Sequence, residues 1–264
     1  MDHFDFGENW CSFVSRSLSV QHVKCAREDF SDLMSGIDVS NKTFLDIGYG
    51  QGLSLLCAVE QGANVVGLDV NSKSVDALRV TARFFPGVEL EKVSIYSGSI
   101  LSKQVVEKLL NLQPNGYDIV HAWGVLHHTG DMKQALKICS SLVMPGGYLV
   151  VSIYNRHWTS PIWRIIKYLY CRSPFFMKKA FVYTFLPLIW VAKLVVTRDN
   201  PRKKERGMDF FHDVVDWVGG YPYEYASIEE FISICGKENL LLLSSRHAVV
   251  PTGCNEFVVQ KPVP

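Results

Sequence analysis

The seven cysteines are odd in number, and no two of them form a C-x-x-C motif, which argues against a disulfide framework. They are Cys11, Cys25, Cys57, Cys139, Cys171, Cys235 and Cys254. Their scattered positions also lack the spacing that structural zinc sites use. We therefore expect reduced thiols, mostly buried, and no metal site.

An excess of charge of either sign is also missing, because 27 lysines and arginines balance 26 aspartates and glutamates. Nucleic-acid binding rests on the neutralisation of phosphates, so no nucleic-acid partner is expected. The first ten residues hold acids and aromatic side chains instead of a basic stretch followed by an apolar run. This composition argues against a secretory signal, and we expect a cytoplasmic protein.

Long apolar runs are scarce. The longest run, residues 180–196, contains Pro187 and Lys193 and is shorter than the ~20 residues that a membrane-spanning helix needs. We therefore expect no spanning segment. The 264 residues are 48% hydrophobic and 20% charged, a composition typical of a globular chain with a large core.

From residue 43 to 153, short apolar runs alternate with helical patterns, which predicts successive βαβ units on a parallel sheet. The predicted strands are 43–47, 64–68, 93–97, 117–122 and 148–153, with 240–244 and 256–260 near the C-terminus. The predicted helices are 53–60, 72–84, 103–112, 131–142 and 227–237, with prolines and the 145–147 sequence PGG marking helix ends.

This pattern divides the chain into four predicted parts. Residues 1–40 form a helical leader over the ligand cleft, and residues 41–156 form the ligand-binding core. Residues 157–226 form a helical insertion rich in aromatic side chains, and residues 227–264 complete the core.

The most informative stretch is residues 44–52, an apolar strand with one acid followed by three glycines at alternate positions. Glycine lacks Cβ, so it lets the backbone turn sharply and approach a ligand closely. The dinucleotide motif G-x-G-x-x-G would need glycine at position 53, where this chain has Leu53. The spacing of Gly48, Gly50 and Gly52 therefore argues against NAD.

Two carboxylates lie at the ends of neighbouring predicted strands. Asp46 suits a cation, and S-adenosylmethionine carries an ammonium and a sulfonium, whereas the pyrophosphate of NAD prefers a helix N-terminus. Asp69 ends the next strand, about twenty residues past the glycines, where a carboxylate can accept both ribose hydroxyls. Taken separately, the glycines are consistent with a tight turn and Asp69 with a helix cap. Their joint spacing favours an S-adenosylmethionine site.

Residues 40–155 and the C-terminal strands resemble the class I S-adenosylmethionine-dependent methyltransferases. The sequences YDIV (117–120), VLHHT (125–129) and LVMPGGYL (142–149) are similar to that family's fourth strand, the following loop and the turn into strand five. The similarity is greatest to small-molecule methyltransferases of quinone biosynthesis. It implies an α/β, Rossmann-like seven-stranded sheet, mostly parallel with an antiparallel last strand, with helices on both faces.

The resemblance also implies which residues bind the cofactor. They are Asp46, Gly48, Gly50 and Gly52 at the methionine portion, Asp69 and Val70 at the ribose, Ser99 and Ile100 at the adenine, and Ala122 and Trp123 near the methyl group. The chain departs from the family pattern at one position: many relatives carry an acid after the glycine, whereas this chain has Ser99 after Gly98. A hydroxyl or the backbone must then bind the adenine amino group.

Methyl transfer needs alignment of acceptor and methyl group, and a base helps when the acceptor is a hydroxyl. His127 and His128 follow the fourth predicted strand and are candidate bases, although a helix cap and a packing role explain them too. His212 is a third candidate, four residues from Asp216, which on a helix could orient its imidazole. An amphipathic helix with a local ion pair explains that pair equally well. The predicted substrate contacts are Trp10, Asp216, Tyr221 and Asn255.

The aromatic insertion allows three interpretations. It is a lid over an apolar acceptor, a subdomain or homodimer face, or a peripheral membrane contact flanked by Lys178, Lys179 and the basic run 202–206.

The sequence thus predicts an S-adenosylmethionine-dependent methyltransferase of a small, partly apolar acceptor, with hydroxyl methylation favoured. An RNA or protein methyltransferase and a non-catalytic S-adenosylmethionine-binding protein are the alternatives.

Overall fold

One seven-stranded sheet organises the chain, in the order β3-β2-β1-β4-β5-β7-β6. The computed structural model describes residues 3–200 and 208–263. The strands are β1 (Thr43–Ile47), β2 (Asn64–Asp69), β3 (Ser94–Ser97), β4 (Tyr117–Trp123), β5 (Val143–Tyr154), β6 (Leu241–Arg246) and β7 (Cys254–Gln260). Strands β1 to β5 pair in parallel, and β7 runs antiparallel to both β5 and β6. The predicted mostly parallel sheet with an antiparallel last strand is confirmed.

The helices are α1 (Phe6–Arg16), α2 (Val20–Leu33), α3 (Leu53–Glu60), α4 (Ser74–Ala82), α5 (Lys103–Leu112), α6 (Met132–Leu142), α7 (Ser160–Arg172), α8 (Phe175–Thr197), α9 (Phe210–Gly219) and α10 (Ile228–Lys237). They cover both faces of the sheet. One buried cluster joins the sheet to α5, α6 and α10, and the other joins it to α2, α3 and α4. Ser227 and Glu230 form a complete capping box on α10, which fixes where this helix begins.

The sequence PGG at 145–147 lies inside β5 and not in a turn before it. Helix α6 ends at Leu142, and β5 begins at the next residue. The pairing of β4 with β5 shifts between Tyr117 and Ile119, so the extra residues of β5 form a bulge. A Cβ on Gly147 would lie 2.8 Å from the Asp118 carbonyl oxygen, which explains the need for glycine at this close approach.

Helices α7, α8 and α9 follow β5 and share a small apolar cluster around Val182, Val214 and Val218. Within the described ranges, α8 is the one helix long and apolar enough to cross a membrane, with 23 residues and a mean hydropathy of 1.8. The sequence analysis expected no membrane-spanning segment because it considered only the apolar run 180–196. The helix in the structure begins at Phe175 and continues through Pro187 and Lys193. By length and composition alone, α8 meets the requirement that the run 180–196 does not meet.

Candidate active site

The turn from β1 into α3 carries the three alternate glycines, and each has a positive φ: +70° at Gly48, +55° at Gly50 and +84° at Gly52. This region of backbone space strongly favours glycine. A Cβ on Gly48 would lie 2.3 Å from Val125, and one on Gly50 would lie 2.9 Å from the indole nitrogen of Trp10. The turn is therefore a cradle in which side chains are excluded for both conformational and steric reasons.

Asp69 ends β2 beside this cradle. Its Oδ2 accepts a hydrogen bond from the Gly50 amide at 2.9 Å, and its Oδ1 accepts one from the Asn71 amide at 2.8 Å. The carboxylate is buried, and this burial raises its pKa above the ordinary aspartate value, against the lowering effect of the two amides. Asp69 thus holds the glycine turn in place and lies where the sequence predicts the ribose contact.

Asp46 lies in β1 opposite His121 of β4, and both side chains are buried. Asp46 Oδ1 lies 2.7 Å from His121 Nδ1, whereas Asp46 Oδ2 and His121 Nε2 have no hydrogen-bond partner among the described residues. An unpartnered buried carboxylate oxygen is costly unless a ligand completes it. This oxygen beside a glycine cradle suits the ammonium of a methionine group, so the residues present fit S-adenosylmethionine.

Helix α1 covers the β2 side of the cradle. Asp5, at its N-cap, accepts hydrogen bonds from Asn71 at 2.6 Å and from the Lys73 ammonium at 2.9 Å. The indole of Trp10 lies directly over Gly50. The leader therefore touches the predicted cofactor position through Trp10, a residue that the sequence analysis assigned to the substrate.

The remaining predicted cofactor contacts differ in their surroundings. Val70 is 72% exposed, whereas Ile100 and Ala122 are buried in the core. The Ser99 hydroxyl accepts a hydrogen bond from the Leu101 amide at 3.2 Å, so it is used in its own turn. The Trp123 indole donates to Glu256 Oε1 at 2.7 Å, which directs this side chain across β5 toward β7.

His127 and His128 lie in a short 3-10 turn, Leu126–His128, that follows β4. His128 Nδ1 lies 2.6 Å from the Pro222 carbonyl oxygen, and because a carbonyl can only accept, Nδ1 carries the proton. Burial lowers the pKa of His128 to about 3, so the ring is neutral at physiological pH. Its Nε2 therefore keeps a free lone pair, as a proton acceptor requires.

Aromatic rings surround this histidine pair. Tyr154, at the end of β5, packs against His127 with ring centroids 4.0 Å apart and against His128 at 5.5 Å. Phe6 of α1 lies 4.7 Å from the His128 ring, and Trp217 of α9 lies 5.4 Å from Tyr154. His127 is fully buried, and this burial lowers its pKa well below the ordinary value. The leader, the sheet and the insertion thus meet at one apolar cluster.

Lys167 of α7 belongs to the same cluster and is absent from the residues predicted from the sequence. Its side chain is fully buried, and Nζ donates to the Trp217 carbonyl near the end of α9. The ammonium lies 4.2 Å from the Trp217 ring centroid and 4.9 Å from that of Tyr223. Burial lowers the pKa of Lys167 to about 7, although the charge of Asp216 opposes the shift. The sequence feature that could have identified Lys167 is its position as the single lysine among the apolar residues of α7.

Lys167 should make folding stability depend on pH. Its folded pKa of about 7 lies below the ordinary value of 10.5, so above pH 7 the unfolded chain holds a proton that the folded chain has released. Stability then rises with pH, by up to about 1.4 kcal/mol per pH unit for a single group. We expect the free energy of unfolding to rise between about pH 7 and pH 9 relative to Lys167→Met. The free energies of unfolding are measured by urea titration at each pH. If they changed with pH in the same way for both proteins, Lys167 would not titrate between about pH 7 and pH 9.

His212 lies apart from His127 and His128, between α9 and α1. Its Nδ1 lies 2.7 Å from Asp209 Oδ2, and its Nε2 lies 3.1 Å from the Ser12 hydroxyl. The interpretation in which Asp216 orients His212 is wrong, because Asp209 at the helix N-cap holds the ring and Asp216 Oδ1 accepts from Asn9 at 2.7 Å. With both nitrogens occupied, His212 joins the leader to the insertion.

Replacing His212 should therefore affect stability. We expect His212→Ala to lower the free energy of unfolding by about 1–3 kcal/mol, because it leaves the Asp209 carboxylate and Ser12 hydroxyl without this partner. Chemical denaturation measures the change. Unchanged stability together with lost turnover would instead support His212 as the base.

The two other predicted substrate contacts also make contacts within the protein. The Tyr221 ring lies 5.5 Å from that of Tyr168 in α7, and its carbonyl accepts from the Phe4 amide at 3.0 Å. Asn255 is buried in β7, where it accepts from the Ala248 amide at 2.9 Å and donates to Asn155 at 3.1 Å. Tyr221 thus lies between leader and insertion, and Asn255 fixes the loop after β6.

Residues 20–185 match the family model described as a methyltransferase domain. The chain belongs to this methyltransferase domain family. The predicted family resemblance and the predicted cofactor, S-adenosylmethionine, are both confirmed. The matched range runs from α2 through most of the α/β core into α8.

Individual relatives of this chain agree with the family assignment. The ubiquinone biosynthesis O-methyltransferase of Acinetobacter baylyi is 32% identical over 158 residues, or 60% of this chain and 62% of the relative. The enzyme of the same name from Aliivibrio fischeri is 30% identical over 162 residues, or 61% of this chain and 64% of the relative. Each match thus spans less than two thirds of the relative.

Solved structures show the same fold at lower identity. The magnesium protoporphyrin IX methyltransferase of Synechocystis, with bound S-adenosylhomocysteine, superposes with a TM-score of 0.59 and 12% identity. The superposition covers 96% of this chain and 93% of that one. It therefore includes the leader, the sheet and the insertion, and it supports the fold alone.

Proposed function

We propose that this methyltransferase transfers the methyl group of S-adenosylmethionine to a hydroxyl group of a small, partly apolar acceptor. The observation that carries the proposal is the neutral His128, whose Nδ1 proton is held by the Pro222 carbonyl and whose Nε2 lone pair is free. The relatives named as ubiquinone biosynthesis O-methyltransferases support a hydroxyl acceptor.

S-adenosylmethionine supplies, when bound, a methyl carbon made electrophilic by a positive sulfur. The chain's own residues orient it: Asp46 binds the ammonium, the glycine cradle lets the backbone approach, and Asp69 accepts the ribose hydroxyls. Trp10 covers the cradle and helps to exclude water.

The acceptor position is the cluster of His128, Tyr154, Phe6 and Trp217. Its aromatic walls suit an apolar ring or chain. His128 Nε2 is positioned to accept the proton of the acceptor hydroxyl. The bound cofactor would supply the methyl group through cleavage of its methyl–sulfur bond and would leave as S-adenosylhomocysteine. A depressed pKa makes His128 a weak base, so the expected reaction favours acidic hydroxyls such as phenols over simple alcohols.

The reaction is tested by measuring S-adenosylhomocysteine release with phenols, catechols, quinols, amines, sugars and lipids, and by mass spectrometry of the products. We expect turnover with at least one phenolic acceptor and a methoxy product. Methylation of amines alone would contradict hydroxyl transfer. Cofactor binding without turnover on any acceptor would favour a non-catalytic S-adenosylmethionine-binding protein.

A further inference from the structure

Helices α7 and α8 present an apolar surface that the rest of the described chain leaves uncovered. In α8, only 6% of the most apolar stretch is buried, and Phe175 and Phe176 at its beginning are 73% and 71% exposed. Ile165 of α7 and Val195 of α8 are also exposed. Monomeric soluble proteins rarely expose apolar patches of this extent unless they bind something. We call this region the hairpin surface.

Basic side chains accompany the apolar residues. Residues 157–198 contain no aspartate or glutamate, although they include several lysines and arginines. Lys179 Nζ lies 4.5 Å from the ring centroid of Phe175, and Arg172 Cζ lies 4.5 Å from that of Tyr168. The turn between α7 and α8 therefore combines exposed aromatic rings with basic side chains, among them Lys178 and Lys179.

We propose that the hairpin surface docks on a lipid bilayer that contains anionic headgroups. An interfacial helix buries its apolar side at the boundary of headgroups and acyl chains, while lysines and arginines bind anionic lipids. Aromatic rings are favoured at that same depth. Docking through this surface does not depend on the proposed methyl-transfer reaction.

Contacts within the chain indicate docking on the membrane and not insertion across it. Lys193 Nζ lies 2.6 Å from Asp213 Oδ2 of α9, and Val182 is buried in the cluster shared by α8 and α9. Crossing the bilayer would require α8 to leave α9 and to carry Lys193 into the membrane, which is costly.

The charge pattern also argues against a second copy of the chain on this surface. A two-fold dimer places the same patch of each subunit against the other. Lys178 and Lys179 would then approach their own counterparts without any acid of the hairpin to offset the repulsion. An anionic bilayer removes that repulsion.

Vesicle sedimentation with the whole chain tests the proposal. We expect binding to vesicles of phosphatidylcholine mixed with phosphatidylglycerol to exceed binding to phosphatidylcholine alone by about tenfold or more, and to weaken as salt is raised. Equal binding to both vesicles, or none to either, would overturn it. So would a dimer in sedimentation velocity that the hairpin substitutions below dissociate.

Two pairs of substitutions locate the contact. Phe175→Ser with Phe176→Ser removes the exposed rings, and Lys178→Glu with Lys179→Glu reverses two charges. Each double variant should lose about tenfold or more of the vesicle affinity. The controls are Val249→Ser, at a residue 82% exposed elsewhere, and Lys133→Glu with Lys237→Glu, which makes the same charge change on α6 and α10. Controls that lose as much affinity as the hairpin variants would refute the assigned surface.

Discussion

Asp69→Ala is expected to weaken the binding of S-adenosylhomocysteine by about 10²–10⁴-fold, because a carboxylate that accepts two ribose hydroxyls contributes two charge-assisted hydrogen bonds. The substitution also removes the acceptor of the Gly50 amide, so the glycine cradle loses one of its fixed points. Isothermal titration calorimetry measures the change directly.

Asp76→Ala serves as the matched control, since this aspartate lies on the exposed side of α4 with its side chain 70% exposed. We expect it to bind S-adenosylhomocysteine as the native chain does. Circular dichroism should show that both variants keep the fold. An Asp69→Ala variant with native affinity would rule out the ribose contact.

The second large effect is expected at His128. His128→Asn places an amide donor where Nδ1 now donates to the Pro222 carbonyl, but it removes the Nε2 lone pair. We expect kcat for a phenolic acceptor to fall by about 10²–10⁴-fold, the range of a general base. The affinity for S-adenosylhomocysteine should stay within the error of the measurement.

The pH dependence gives an independent check on this residue. Because its pKa is lowered to about 3, His128 stays neutral from pH 5 upward, and its titration should not appear in the rate profile above that pH. Full turnover in His128→Asn would mean that this side chain is not the base. Loss of cofactor binding in the same variant would indicate a structural role.

Much of the core follows from sequence because its signals are local. The strand over Thr43–Ile47 and the helices over Leu53–Glu60 and Lys103–Leu112 coincide with their predicted bounds, because apolar periodicity and glycine or proline punctuation determine them. The glycine cradle was likewise predictable, because a positive φ at alternate positions requires glycine there, and the alternate glycines are visible in the sequence.

The proposed acceptor cluster was harder to predict from the sequence because distant segments assemble it. Tyr154, Lys167 and Trp217 meet only after the insertion folds back on β5, and sequence spacing does not encode that approach. The sequence analysis named the wrong partner for His212 for a similar reason. Helical spacing favoured Asp216, but the N-cap position of Asp209 brings its carboxylate to the ring.

We expect the glycine cradle with Asp46 and Asp69 to bind a sulfonium nucleoside. Calorimetry of the whole chain with S-adenosylhomocysteine and, separately, with NAD tests it most directly. The expected result is one saturable site for S-adenosylhomocysteine, no measurable heat with NAD, and loss of the site in Gly50→Val, where a side chain would meet Trp10. Saturable NAD binding without S-adenosylhomocysteine binding would contradict it.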